Sequence, residues 1–239
     1  MKMSEKFAAA ESPRDVAGYL VAQLKRKGAD DVIVSASVDE ATQLKFSNST
    51  ISTTQTWHSE KLNIFMAIDK RLVSTSLRDV SRKAADEAVA RMLKFAKAAL
   101  PNKEYSGIAH GPFSYRDAPE TYDSAIANLG SEAVDILKGA LDVAHRNGAK
   151  RTAGILETTT GHTYLLTSND VEAEDRGTKA YFSLRAFVDK YASGHHICNS
   201  RTLRKFTPNA SAERAATIAK QAMNPTGGEP GNYDIIFAP

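Results

Sequence analysis

The sequence predicts an α+β fold, with mixed or antiparallel sheets of meander strands and helices packed outside. Two observations predict it: strands arrive in hairpin runs separated by single helices, and their connections are short. Short connections join antiparallel neighbours, because a parallel crossover needs a dozen or more residues. A third observation concerns organisation: one helix–strand–hairpin unit is written twice in weak form, about 120 residues apart.

The first element is a helix. Ser12-Pro13 places a capping residue before a proline at the first helical position, where its missing N–H is harmless. Val16, Leu20 and Leu24 recur at i+4 as one apolar stripe. Lys25-Arg26-Lys27 sets positive charge at the negative end of the helix dipole, and Gly28 supplies a left-handed stop. Asp31 to Val38 then alternates Val32, Val34, Ala36 and Val38 on one face, the pattern of a half-buried strand.

Strand signals continue for about forty residues. Leu44 and Phe46 alternate with polar neighbours, Ile51 to Trp57 is rich in threonine, and Leu62, Ile64, Met66 and Ile68 alternate again. Asp69-Lys70 makes a short polar turn into Leu72 to Leu77, for a predicted meander of four or five strands. A second helix runs from about Val80 to Ala99 on Ala85, Val89, Met92 and Ala96, and Pro101 ends it. Asn102 to Thr121, with two prolines and two glycines and no periodicity, reads as a connecting loop.

A third helix is predicted from about Asp123 to Arg146, weakened locally at Gly130 and Gly139. It ends His145-Arg146-Asn147-Gly148-Ala149, as the first ended Lys25-Arg26-Lys27-Gly28-Ala29. Strand signals follow both, closing in Phe46-Ser47-Asn48-Ser49 and in Leu166-Thr167-Ser168-Asn169. This is a weak internal repeat, two halves that could share one sheet layer. The alternative is that helix–glycine–strand junctions look alike anywhere, since glycine commonly follows helix ends. A long strand is predicted from Thr178 to Tyr191 and a fourth helix from about Ser211 to Met223. Asn224 to Gly231 is a linker by composition, leaving Tyr233 to Pro239 as a strand. The expected organisation is a first unit over 1–100, a connecting loop over 101–122, a second helix–strand unit over 123–223, and a linker with the first strand of a missing C-terminal domain over 224–239.

Composition narrows the function classes. At 239 residues, 42% hydrophobic and 25% charged, the chain has the balance of a soluble globular protein. A net charge of +3 gives no announcement of nucleic acid. The single cysteine, Cys198, excludes an internal disulfide framework. No stretch approaches a membrane span, and Met1 to Glu11 lacks the apolar run of a signal peptide, so the expected location is the cytoplasm.

Chemistry is scarce. There is no His-Glu-x-x-His, Gly-x-x-x-x-Gly-Lys-Ser/Thr, Gly-x-Gly-x-x-Gly or Gly-x-Ser-x-Gly string. In Gly194-His195-His196-Ile197-Cys198, a strand would aim His196 and Cys198 one way and His195 the other. Two ligands make no site, and the segment reads as a loop with an ordinary thiol. The acidic run Asp170, Glu172, Glu174 and Asp175 reads as a solvated edge. Trp57 with His58 reads as packing, and Thr50 to Thr56 as an ordinary sheet surface, with an edge for an added peptide strand as the alternative. No catalytic, cofactor-binding or metal residue is assigned.

Order and wording together resemble a family. Gly28-Ala29-Asp30-Asp31-Val32-Ile33-Val34, then Phe46-Ser47-Asn48-Ser49-Thr50-Ile51, a meander and the helix from Val80 look like the N-terminal half of the TldD/PmbA family, the modulators of DNA gyrase. Pro230 to Pro239 is similar to the segment leading into that family's C-terminal domain, and Phe237-Ala238-Pro239 is nearer the PmbA-like wording. The resemblance implies a zinc-dependent peptidase when TldD-like, its His-Glu-x-x-x-His helix in the C-terminal domain, or a PmbA-like partner without a working metal site. In both, the N-terminal domain helps enclose a cleft that holds an extended peptide. No ligand position falls on this sequence, so zinc is implied only for a full-length member and this chain alone should hydrolyse nothing. The implied partners are an extended peptide and a homologous subunit, as homo- or heterodimer, with no nucleic acid contacted directly and no membrane. The surface facing the missing part should be apolar. The competing readings are a stand-alone module that binds peptides or a subunit without catalysis, and an unrelated enzyme using His196 and Cys198.

Overall fold

A computed structural model describes residues 11–116 and 118–237. The readings that fall on residues 1–10 and on Ala238-Pro239 lie outside them.

Helix α1 (Pro13–Arg26) begins where Ser12 Oγ accepts the Asp15 N–H at 3.2 Å. It ends in a Schellman turn, with Ala29 N–H to Leu24 O at 3.1 Å and Gly28 N–H to Lys25 O at 3.0 Å. Gly28 has φ +93°, a conformation that penalises any side chain. Three strands follow: β1 (Asp31–Ser47), β2 (Thr50–Ile68) and β3 (Arg71–Leu77). Two-residue turns at Asn48-Ser49 and Asp69-Lys70, all four residues at positive φ, join them tightly. The predicted four or five strands are therefore three. The breaks expected between Val38 and Leu44 and between Trp57 and Leu62 do not exist, because β1 and β2 run on to either side of the Asn48-Ser49 turn as one long hairpin. Helix α2 (Arg82–Ala98) is capped by Ser81 Oγ and buries Ala85, Val89, Met92 and Ala96, as its stripe predicts.

After the connecting segment, which holds one 3-10 turn at Pro119–Thr121, the predicted third helix is two. Helices α3 (Ser124–Ala127) and α4 (Glu132–Arg146) are separated at Asn128–Ser131, around Gly130. Strands β4 (Arg151–Thr167), β5 (Glu172–Phe187) and β6 (Ser193–Ser200) precede α5 (Pro208–Gln221). The segment read as a loop at 194–198 is an edge strand, pairing Phe182 with Cys198 and Leu184 with His196. Residues 233–237 form no strand, and Tyr233, Ile235, Ile236 and Phe237 are exposed.

All six strands form one antiparallel sheet in the order β3-β2-β1-β4-β5-β6. That order is a palindrome of the unit helix–three strands–helix, so the repeat is real and its two copies share one sheet. Strands β1 and β4 cover 31–47 and 151–167, an offset of 120 residues. They pair with Glu40 against Thr160, so equivalent positions meet at a local pseudo-twofold axis. Gly148 repeats the stop at Gly28, with φ +96° and Ala149 N–H to Ala144 O at 3.0 Å.

The small polar closures have a reciprocal role. Ser49 Oγ accepts the N–H of Thr152 at 3.0 Å, and Ser168 Oγ accepts the N–H of Val32 at 2.9 Å. Each turn of one copy thus satisfies the first residues of the facing strand of the other.

Alternation places every helix on one face. Val32, Val34 and Ala36 pack with α1 and α2 in one core, while Leu44 and Phe46 of the same face join α4 and α5 in the second. Phe46 also lies over Gly154 and stacks on Phe182, ring centroids 6.2 Å apart. The odd-numbered residues of β1 and β4 form the opposite face, which no helix covers.

Candidate functional site

Across the open face, position 41 pairs with 57 in one copy and 161 with 177 in the other. These pairs are repeat equivalents, each offset by 120, but their contents differ. The first is Ala41 beside Trp57, and the alanine is buried. The second is Gly161 beside Gly177, two residues without side chains.

The paired glycines leave a trough of about 420 Å³, bordered by Asp39, Thr159, Thr163, Asp175, Lys179 and Arg201. A Cβ on Gly161 would stand 2.6 Å from Asp39 Oδ1, so the carboxylate occupies the space over the glycine. Two carboxylates and two cations balance, and the remaining lining is hydroxyl and amide. Such a surface offers hydrogen bonds without selecting a net charge. A second groove of about 370 Å³ lies on the same face between Ile33, Ser35, Asn63, Phe65, Ser74 and Ser76. Ile33, Ile64 and Phe65 give the second hollow an apolar share that the trough lacks, and large exposed apolar side chains also lie at 233–237.

The face is bordered by an open edge. Strand β3 pairs only with Leu62 to Ile68, so Ile51 to Lys61 of β2 bonds to β1 alone among the described residues. Residues 52–59 are exposed on both faces, and Trp57 is 41% exposed. Trp57 is therefore not core packing.

At the other end of the sheet the connecting segment is tied down. Tyr105 donates to Asp31 Oδ2 at 2.8 Å, Asn169 Nδ2 donates to Asp31 Oδ1 at 3.0 Å, and Tyr105 packs 6.1 Å from Phe65 between ring centroids. Burial first, then Asp31, pushes the Tyr105 phenol far above its ordinary value. Sequence reasoning missed this network; an aromatic residue within an otherwise Gly/Pro-marked loop was the available signal.

The other flagged residues do not converge. His196 Nδ1 lies 3.1 Å from Ser211 Oγ beside α5, while His195 Nε2 meets Ser183 Oγ at 2.9 Å on the open face. Cys198 packs against the second core. The acidic run divides: Glu172 pairs with Arg14, Glu174 reaches His162 at 3.8 Å, and Asp175 borders the trough. Burial, then Arg176, holds the His162 imidazole below its ordinary value. Among the described residues no three His, Cys, Asp or Glu side chains come together to hold a metal ion, so they do not fit a zinc centre.

A family model, the PmbA/TldA metallopeptidase central domain, matches residues 78–223, from just before α2 to just past α5. The chain belongs to the PmbA/TldD family. Solved structures of similar fold include TldE from Thermococcus kodakarensis (TM-score 0.74, 17% identity), over 87% of this chain and 48% of that one. A candidate modulator of a DNA gyrase from Thermotoga maritima matches over 92% of this chain and 50% of its own (TM-score 0.73, 17% identity). One from Bacteroides thetaiotaomicron matches over 87% and 49% (TM-score 0.76, 14% identity). The chain thus spans about half the length of these PmbA/TldD-like structures. Among curated proteins none matches the sequence. No described helix is long and apolar enough to cross a membrane.

Proposed function

We propose that this chain is the peptide-holding, non-catalytic part of a PmbA/TldD-type metallopeptidase or of its partner subunit, serving cytoplasmic proteolysis. In this reading the open sheet face is one wall of a cleft that takes extended polypeptide, and a homologous subunit completes the assembly. The observation that carries it is the one-sided layering: all helices lie on one face, and the other carries a charge-balanced, hydroxyl-lined trough over Gly161 and Gly177. An extended chain presents alternating N–H and C=O groups, which such a surface can meet without demanding a particular side chain. The family supplies the context, and zinc and the bond-breaking groups would come from outside the described residues.

Photo-crosslinking tests it. A benzoylphenylalanine at Thr163, exposed beside the trough, is compared with one at Lys138, exposed on α4, against a fluorescein-labelled unstructured peptide. Crosslinks from Thr163 alone are expected. Equal yields, or yield from Lys138 only, would overturn the reading.

A further inference from the structure

We infer that the Ile51–Lys61 edge of β2 pairs strand to strand with the same edge of a second copy, joining two sheets into one. The inference names a surface for the like subunit of the proposed function and rests on that reading. Natural sheets blunt their edges with charge, proline, bulges or a covering segment. The register against β1 shifts at Ser52, and beyond it residues 53–59 of this edge run regularly with no Asp, Glu, Lys, Arg, Pro or Gly, rich in threonine with one tryptophan, side chains that suit a sheet. Its outward N–H and C=O groups meet no partner among the described residues.

The repeat-equivalent edge shows what protection looks like here. Residues 172–179 of β5, also beyond the reach of the neighbouring strand, carry Glu172, Glu174, Asp175, Arg176 and Lys179. Arg14 engages Glu172, and the Asp123 N–H bonds Thr178 Oγ1 at 2.9 Å, bringing the connecting segment alongside. One edge is guarded and the other bare. A partner strand for the bare edge must be long, uncharged and open on one side. Among the described residues the strand that meets those terms is β2 itself, since β3 and β6 are 7 and 8 residues long. Antiparallel pairing of β2 with its copy, centred near Thr56, sets Glu60 and Lys61 opposite the neutral Ser52 and Ile51, so no like charges face each other.

Trp57 is the chain's one tryptophan and lies within this edge, so its emission reports on the pairing. Sedimentation and Trp57 fluorescence are measured on the 239-residue chain over a series of micromolar concentrations. The expected result is a monomer–dimer equilibrium whose rise in mass accompanies a blue shift of Trp57. The double variant Thr54→Lys/Gln55→Lys, at two exposed positions, should raise the dimer dissociation constant about tenfold or more by charging the bare edge, with position 55 diagonal to its own copy in this register. Its thermal midpoint, unchanged at a concentration where both proteins are monomeric, shows that it folds, and Glu174→Lys on the guarded edge should leave dimerisation intact. A dimer that survives the lysines with Trp57 unshifted overturns the edge assignment but leaves the like subunit standing. A monomer throughout removes both. A Trp57 shift only on adding an extended threonine-rich peptide, at constant protein mass, overturns the second copy as occupant.

Discussion

Replacing Ser49 or Ser168 by alanine tests whether the two copies are held together by their reciprocal turns. Ser49 Oγ accepts both the N–H of Thr152 at 3.0 Å and its hydroxyl at 3.2 Å, and Thr152 is only 1% exposed. Ser168 Oγ accepts the N–H of Val32, which is fully buried. Removing either acceptor strands a buried donor, which costs about 1–3 kcal/mol. Alanine at Ser49 keeps the same φ of +62°, so the hydroxyl alone is removed. The two contacts sit at opposite ends of the β1–β4 pair, about 50 Å of strand apart at ~3.3 Å per residue. At that separation the double variant should lose the sum of the singles within about 0.5 kcal/mol. Urea unfolding at a shared slope measures each loss. In a thermal melt each single variant should fall by about 2–12 °C, at roughly 2–4 °C per kcal/mol for a chain of this size. A loss below about 0.5 kcal/mol for either serine would refute the argument, because the buried N–H must then have found another acceptor.

Gly194 lies against α5, where a Cβ would run into the Ala215 carbonyl and the Ala219 amide, both backbone. Gly194→Ala should therefore destabilise by at least about 1–3 kcal/mol in urea, with β6 and α5 exchanging amide protons faster. Tyr105→Phe removes the phenol hydrogen bond to buried Asp31 and should cost about 1–2 kcal/mol, with amide exchange rising first around 102–111. The His162 imidazole is depressed below its ordinary 6.5 by burial and then by Arg176, so its contribution is complete above that value. As pH falls the unfolded chain binds the proton first, and stability drops until the folded ring protonates as well. His162→Gln should flatten the urea midpoint between about pH 8 and about pH 5, and an unaltered slope would reject this.

Local signals with a single physical cause were legible. The Ser12-Pro13 start, the Gly28 and Gly148 stops and the stripe of α2 each depend on a few adjacent residues, and each is where the sequence places it. Strand number was not legible. Alternation marks a strand only where one face is buried, and β2 from Ser52 to Ser59 is exposed on both faces. With no burial contrast, nothing in the pattern joins Ile51–Trp57 to Leu62–Ile68, and one strand reads as two. The same reasoning explains β6: Gly194 reads as a loop residue, yet it is glycine because α5 passes too close for a side chain. The trough was beyond the sequence altogether. Gly161 and Gly177 are 16 residues apart and become neighbours only through the β4–β5 register.

The repeat then sharpens the functional question. Two copies that shared only stability would be expected to keep similar surfaces, and in the helix-covered cores and the turn locks they do. They part company on the open face and at the edges. One copy fills its paired position with Trp57 and leaves its edge neutral, while the other empties the position with two glycines and charges its edge. Neither change serves the cores, since both lie outside the two helix-packed clusters. Divergence confined to the uncovered surface is what two different tasks would produce: a bare edge suited to another strand, and a hollow suited to an extended chain. If the crosslinks fall at Thr163 and the lysine pair abolishes association, the two tasks separate along the pseudo-twofold axis at Glu40 and Thr160. If both probes respond to the same peptide, the open face and the edge are one continuous site instead.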